Sequence, residues 1–184
     1  MKNENAMYIL RLAGTLFLIT ALVAAALAGV NAITAPRIAE SKAAKTQQAI
    51  ELVLPGGGEE MAPGTFDNQG GLVSRVYKSE TGYAVEVVPS GFDGTITMMV
   101  GVTTDGAVTE ISIISHTETA GLGAVAAAKT SAGEAFRGQF VGQSGSVTVT
   151  KDGGQIEAIT GATITSRAIC AGVNAALECV ANMG

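Results

Sequence analysis

Four hydroxyls crowd one short stretch of this 184-residue chain, Thr160-Gly161-Ala162-Thr163-Ile164-Thr165-Ser166. It sits where a β-patterned segment gives way to a helical one. The amino end of a helix presents unpaired N–H groups and the positive end of its dipole, so such a junction suits a phosphate. Gly161 and Ala162 would let a bulky group approach the backbone. The same hydroxyls are equally what a helix cap requires. A second stretch, His116-Thr117-Glu118-Thr119-Ala120-Gly121-Leu122-Gly123, follows a strand pattern and precedes a small-residue helix. Polar side chains and two glycines at a strand end can wall a planar ligand, and they can equally form a simple turn.

No catalytic residue is assigned. One histidine and two separated cysteines offer no Ser/His/Asp or Cys/His set, and no metal-ligand spacing is present. Cys170 and Cys179 fall on opposite faces of a helix, about 13 Å apart along its axis, so they should not bridge each other. They read as small buried hydrophobes.

Elements must position these stretches. Strand patterns cover Leu72 to Tyr77, Tyr83 to Val88, Thr95 to Val102 and Val108 to Ser115, with Asp105-Gly106 a hairpin turn between the last two. Ser131-Ala132-Gly133-Glu134 fits a capping box opening a short helix with Phe136 and Phe140. Val147 to Thr150 and Gln155 to Ile159 read as two more short strands around Asp152-Gly153-Gly154. From about Ser166, Ile169, Val173, Ala176, Leu177 and Val180 recur at helical spacing. Antiparallel hairpins followed by helices suggest an α+β fold with a mainly antiparallel sheet.

The chain is 47% hydrophobic and 15% charged, with a mean hydropathy of +0.37, which is uneven rather than uniformly greasy. Residues 12–30 are nineteen uncharged residues, and the run continues through Ile33. Such a length matches the roughly 30 Å of bilayer hydrocarbon. A signal peptide would also start with Lys2 and Arg11 and offer Ala26-Leu27-Ala28 for cleavage, but the run exceeds a usual signal core. An uncleaved transmembrane helix is the expectation. Residues 37–184 hold nine Lys/Arg against fifteen Asp/Glu, which excludes a basic nucleic-acid footprint. The expected division is a short amino-terminal segment (1–11), a transmembrane helix (12–33), a connecting helix and Gly-rich linker (34–71), and a folded domain (72–184). Thr34 can cap and Pro36 can open the connecting helix, whose partial apolar stripe is Ile38, Ala49, Ile50, Val53 and Leu54.

Taken together, one span, a sheet region, H-x-E-T-x-G-L-G at His116 to Gly123, and Glu157-Ala158-Ile159-Thr160-Gly161-Ala162-Thr163 resemble a known family. It is the FMN-binding domain family of RnfG, the G subunit of the Rnf ion-translocating electron transport complex, and of the related NqrC subunit of sodium-pumping NADH:quinone reductase. The resemblance covers most of residues 8–182.

The resemblance implies covalent FMN, joined by a phosphoester to the last threonine of the motif, Thr163. Thr160, Gly161 and Ala162 complete the motif, and Thr165 and Ser166 fall where hydroxyls can hold phosphate oxygens. Glu118, Thr119, Leu122 and Gly123 match the element that lies against the flavin ring. Glu157 stands where the family usually has Asp, still able to orient the attacking hydroxyl or the modifying enzyme, and Ala120 stands where Pro is common. Low aromatic content argues against an aromatic sandwich, leaving Leu122 and backbone as the ring wall.

The implied protein is a single-pass electron-transfer subunit of the cell inner (cytoplasmic) membrane, in a complex coupling ferredoxin and NAD(H) to Na⁺ or H⁺ movement. Its partners would be the other subunits and a flavin transferase, with the FMN domain extracytoplasmic. The alternatives are an NqrC-like subunit and a non-redox anchored envelope domain in which the threonines only cap a helix.

Overall fold

The computed structural model describes residues 2–183, so Met1 and Gly184, the outermost residues of the segments outlined above, lie outside it. The chain divides into two units, residues 1–44 and 45–184. Helix α1 (Lys2–Val53), as far as residue 44, supplies the first. Every residue from Met7 through Lys45 is exposed, and the helix is long and apolar enough to cross a membrane. A globular protein would not leave Leu16, Phe17, Leu22 and Leu27 all more than half exposed in water.

No new helix opens at Thr34. Pro36 lies inside α1, and the Thr34 hydroxyl donates to the Val30 carbonyl (2.9 Å), as an interior helix residue does. The proline removes one amide bond, but the alanines around it are strong helix formers and carry the helix through.

The second unit is an α+β body on a five-stranded antiparallel sheet in the order β1-β2-β3-β4-β5. Its strands are β1 (Glu59–Glu60), β2 (Val73–Lys78), β3 (Gly82–Val87), β4 (Thr97–Thr103) and β5 (Val108–Ser115). Four of these fall on the strand patterns that the sequence shows; β1 is too short to show any. The β4–β5 hairpin closes where expected, the Gly106 N–H donating to the Thr103 carbonyl (3.0 Å).

Both faces of the sheet are covered. Helix α3 (Thr163–Ala181) lays Ile169, Val173, Ala176 and Val180 against Val76, Val85, Val87, Met98, Val100 and Ile111. On the other face Ala49, Ile50, Val53 and Leu54 pack on Tyr77, Ala84 and Met99. The end of α1, expected as connector, is thus part of the body, whereas Ile38 is exposed. Thr109 pins this end by donating its hydroxyl to the Val53 carbonyl (2.9 Å). Each large apolar side chain so buried contributes about 1.5–3 kcal/mol. Two-sided cover explains why every residue of β3 is buried. α3 is long and apolar enough to span a bilayer but is mostly buried in the body, as a core helix is.

Three local expectations are corrected. Helix α2 (Ser131–Gly138) is capped by Thr130, whose hydroxyl accepts from the Gly133 N–H, rather than by Ser131. The small-residue helix after Gly123 is one 3-10 turn, Gly123–Ala127. Val147–Thr150 and Gln155–Ile159 are not strands: they share a single parallel bridge, Val149 with Ile156, around a 3-10 turn at Thr150–Asp152. The backbone there turns back on itself too soon to extend a ladder, with the Asp152 and Gly154 N–H groups both donating to the Val149 carbonyl.

Candidate functional site

α3 begins at Thr163, three residues before the periodicity suggested, and its N-cap is Ala162, which has no side chain to cap with. The first i→i−4 bond runs from the Ser166 N–H to the Ala162 carbonyl (3.0 Å). The amides of Thr163, Ile164 and Thr165 precede it and are the helix's orphan donors. The threonines at this junction are therefore not acting as the N-cap.

A cavity of about 290 Å³ opens over this helix end, lined by Phe92, Glu118, Thr119, Leu122, Gly123, Lys151, Gly161, Ala162, Thr163, Ile164 and Thr165. Thr163 is half-buried there, and its hydroxyl oxygen accepts a hydrogen bond from Lys151 Nζ (3.3 Å). Phe92 (67%), Leu122 (43%) and Ile164 (51%) leave apolar surface exposed at this rim. Apolar walls with a few placed polar groups are what a cofactor site offers.

The wall is braced from below. Glu118 is 7% exposed and Thr165 1%; the Thr165 hydroxyl donates to Glu118 Oε2, and Oε1 accepts from the Asp93 N–H (3.1 Å). The Thr117 hydroxyl donates to the Asp93 carbonyl, fixing the turn that carries Phe92. Gly123 is closely packed, since a Cβ would stand 2.5 Å from Glu118 Oε2 and 2.6 Å from Thr165 Oγ1. Gly161 takes a left-handed φ of +77°, open to glycine at no steric cost, and its bare Cα lies under Leu122.

Residues 91–178 match the FMN-binding domain family, and residues 1–53 match the RnfG N-terminal region. The chain is 34% identical to the G subunit of the Na(+)-translocating ferredoxin:NAD(+) oxidoreductase complex of Acetobacterium woodii, over 91% of this chain and 89% of that protein. It is 31% identical to the G subunit of the ion-translocating oxidoreductase complex of Methanosarcina acetivorans, over 90% and 91%. The chain belongs to the RnfG family. It is also 45% identical to the G subunit of the proton-translocating ferredoxin:NAD(+) oxidoreductase complex of Clostridium ljungdahlii, in a match spanning about half of each chain (52% and 51%).

Every residue lining the cavity falls inside the segment that matches the FMN-binding domain, and the RnfG N-terminal match ends with α1 at Val53. The residues present suit a flavin mononucleotide: free helix amides and a lysine for a phosphate, and exposed apolar side chains for a ring.

Glu118, Thr119, Leu122, Gly123, Gly161, Ala162, Thr163 and Thr165 are brought together around the cavity. Thr160 and Ser166 are not. Thr160 lies before the turn at Gly161 and lines a different depression, with Gly121, Glu157 and Ile159. Ser166 is fully buried, its hydroxyl donating to the Ala162 carbonyl (3.0 Å) and accepting from the Ile159 N–H (3.1 Å). Both bonds hold the turn together. Glu157 lines the depression that holds Thr160 and not the cavity at Thr163, and its N–H donates to Gln139 Oε1 (2.7 Å). His116 faces another groove, with Lys45 and Lys129.

Sequence reasoning missed Phe92, Lys151 and Ile164. Phe92 also amends the expectation of a wall without aromatics: one aromatic lines the cavity, though not a sandwich. Its only signal in the sequence is the Gly91-Phe92-Asp93-Gly94 turn. Lys151 is marked only by the Asp152-Gly153-Gly154 that follows it. Among the described residues no cluster of His, Cys, Asp and Glu could hold a metal.

Proposed function

We propose that this chain is the flavin-carrying, membrane-anchored subunit of an ion-translocating ferredoxin:NAD(+) oxidoreductase, relaying electrons through FMN held by a phosphoester on Thr163. The observation that carries this reading is the Thr163 hydroxyl, set in the cavity at the free amino end of α3 with Lys151 Nζ 3.3 Å away. Bound FMN supplies one- and two-electron redox chemistry that no side chain here can.

The chain's residues do the rest. The amides of Thr163, Ile164 and Thr165 and the Lys151 ammonium would meet the phosphate. Leu122, Phe92 and Ile164 would shield the ring from water, and Glu118 with Thr165 would keep the wall in place. The site holds an electron carrier and contains no acid–base pair for a substrate. A threonine hydroxyl is a weak nucleophile near neutral pH, and no imidazole lines the cavity. Attachment is therefore assigned to a separate flavin transferase acting on flavin adenine dinucleotide. A tether abolishes dissociation where free flavin is dilute.

In this reading residues 12–33 cross the cytoplasmic membrane once, residues 34–44 carry α1 on to the body, and the body from residue 45, with its FMN-binding part in residues 72–184, holds the flavin on the extracytoplasmic side. The other subunits of the complex donate and accept the electrons.

Co-expression of the full chain with a flavin transferase should give a band that fluoresces under ultraviolet light after denaturing electrophoresis, with an intact mass raised by one esterified FMN. Thr163→Ala should lose both. An equally fluorescent Thr163→Ala band would sink the assignment, and a wild-type chain without flavin would favour the non-redox alternative.

A further inference from the structure

Lys151 is the one cation among the residues lining the cavity, and Glu118 the one acid, with both its carboxylate oxygens already accepting hydrogen bonds. The unspent charge is thus the ammonium beside the Thr163 hydroxyl. A lysine on an exposed loop ordinarily sweeps a wide arc and loses entropy when it settles, but this one stands on a fixed platform. The 3-10 turn Thr150–Asp152 rises from Val149 and Ile156, 1% and 0% exposed, and is closed by the Thr150 N–H donating to the Ile156 carbonyl (2.8 Å). Its last residue, Asp152, is forked onto α3: Arg167 Nε and Nη2 donate to the two carboxylate oxygens at 2.7 and 2.6 Å. Arg167 is four residues, about one helical turn, beyond Thr163. One bidentate contact therefore sets the lysine's turn in register with the threonine's turn of the helix.

We propose that Lys151 is the group that meets the negative charge at Thr163 during flavin attachment and afterwards neutralises the finished phosphoester, and that the Asp152–Arg167 pair is the positioning device that aims it. The proposal rests on the attachment reading above. In that step Thr163 Oγ forms a bond to the FMN phosphorus of flavin adenine dinucleotide. The bond from that phosphorus to the bridging oxygen breaks, AMP departs with that oxygen, and the threonine proton passes to a base of the transferase. Nothing is oxidised or reduced. Negative charge gathers on the phosphoryl oxygens at the place where Lys151 donates, and a charge-assisted bond that strengthens there speeds transfer.

The test uses the purified full chain in detergent, flavin adenine dinucleotide and a flavin transferase, with intact mass followed over time. Loss of one charge-assisted hydrogen bond should slow Lys151→Met about tenfold. Lys151→Arg, which keeps the charge, should recover most of the rate, and Asp152→Asn should fall between. Far-UV circular dichroism should be the same for all four chains, because Lys151 and Asp152 are exposed. In the loaded protein the phosphorus-31 resonance should move in Lys151→Met, which a role in transferase docking alone would not cause. Lys151→Met labelled at the wild-type rate overturns the proposal, as does Lys151→Arg as slow as Lys151→Met, or an unmoved phosphorus resonance. A Thr163→Ala chain that still gains the mass overturns the attachment reading itself, and this proposal with it.

Discussion

The Thr165 hydroxyl donates to Glu118, and both side chains are buried. This one contact joins the first turn of α3 to the loop after β5, and through the Asp93 N–H it reaches the turn that carries Phe92. A buried carboxylate is tolerable only when its oxygens are hydrogen-bonded, and here the bonds come from two different walls of one cavity. Thr165→Val keeps the shape but removes the donor. It should cost about 1–3 kcal/mol of stability, while Thr165→Ser should cost far less. Thermal melts of the two full-length variants in the same detergent, followed by circular dichroism, would show the difference. Equal melting points would mean that the bond does not brace the fold.

Gly123 reports on the same brace from another side. An added methyl group would meet Glu118 Oε2 at 2.5 Å and Thr165 Oγ1 at 2.6 Å, atoms held by each other and unable to withdraw together. Gly123→Ala should therefore destabilise by about 1–3 kcal/mol and lower the fraction of chains that take up flavin. Gly138 meets nothing within 4 Å, so Gly138→Ala is the matched control and should do neither. Intact mass and a thermal melt on each variant are sufficient.

These contacts show what the sequence could and could not display. β2 to β5 were legible because alternation and the Asp105-Gly106 turn are local signals. Val147, Val149 and Ile156 alternate like strand residues too, yet they are buried by the approach of α3 and not by a ladder. Gly161, Ala162, Thr163 and Thr165 were legible as a site because they stand together in one short motif. Phe92 and Lys151 enter it from separate turns, so only the folded chain brings them to Thr163. Thr160 was placed with the ligand by the family motif and Ser166 by its position at the helix start, whereas the left-handed turn at Gly161 sets Thr160 on a different depression and the Ser166 hydroxyl is spent on buried hydrogen bonds.

Cys170 and Cys179 lie in α3 with 3% and 0% exposure. Burial pushes both thiols up to about 11, so almost no thiolate, the reactive form, is present near neutrality. Neither should be alkylated by iodoacetamide at pH 8 within an hour in the folded chain, and both should be after denaturation. The sign also fixes a pH limit: folding favours the neutral thiols, a contribution fully present below the ordinary thiol range and lost as pH rises toward about 11. Rapid labelling of the native chain at pH 8 would show that α3 opens far more often than a core helix should.

Asp152 and Arg167 are exposed, and such pairs usually add little to stability, so their value lies in position. The hydrogen bond from Arg167 holds the Asp152 carboxyl below the usual carboxylate range, with its positive charge acting in the same direction. Folding therefore favours the ionised form. The contribution is complete above the ordinary aspartate value of about 3.9 and is lost only as pH falls through the lowered one. Across pH 5 to 8 the fork should be fully formed, and the slowing of flavin attachment in Asp152→Asn relative to wild type should be constant over that window. A carbon-13 carboxyl titration should place the Asp152 midpoint below that of an ordinary aspartate, and Arg167→Gln should return it to the ordinary range. Coincident midpoints in the two chains would mean that no fork holds the lysine's turn to α3 in solution, and the slowing of attachment in Asp152→Asn would then need another cause.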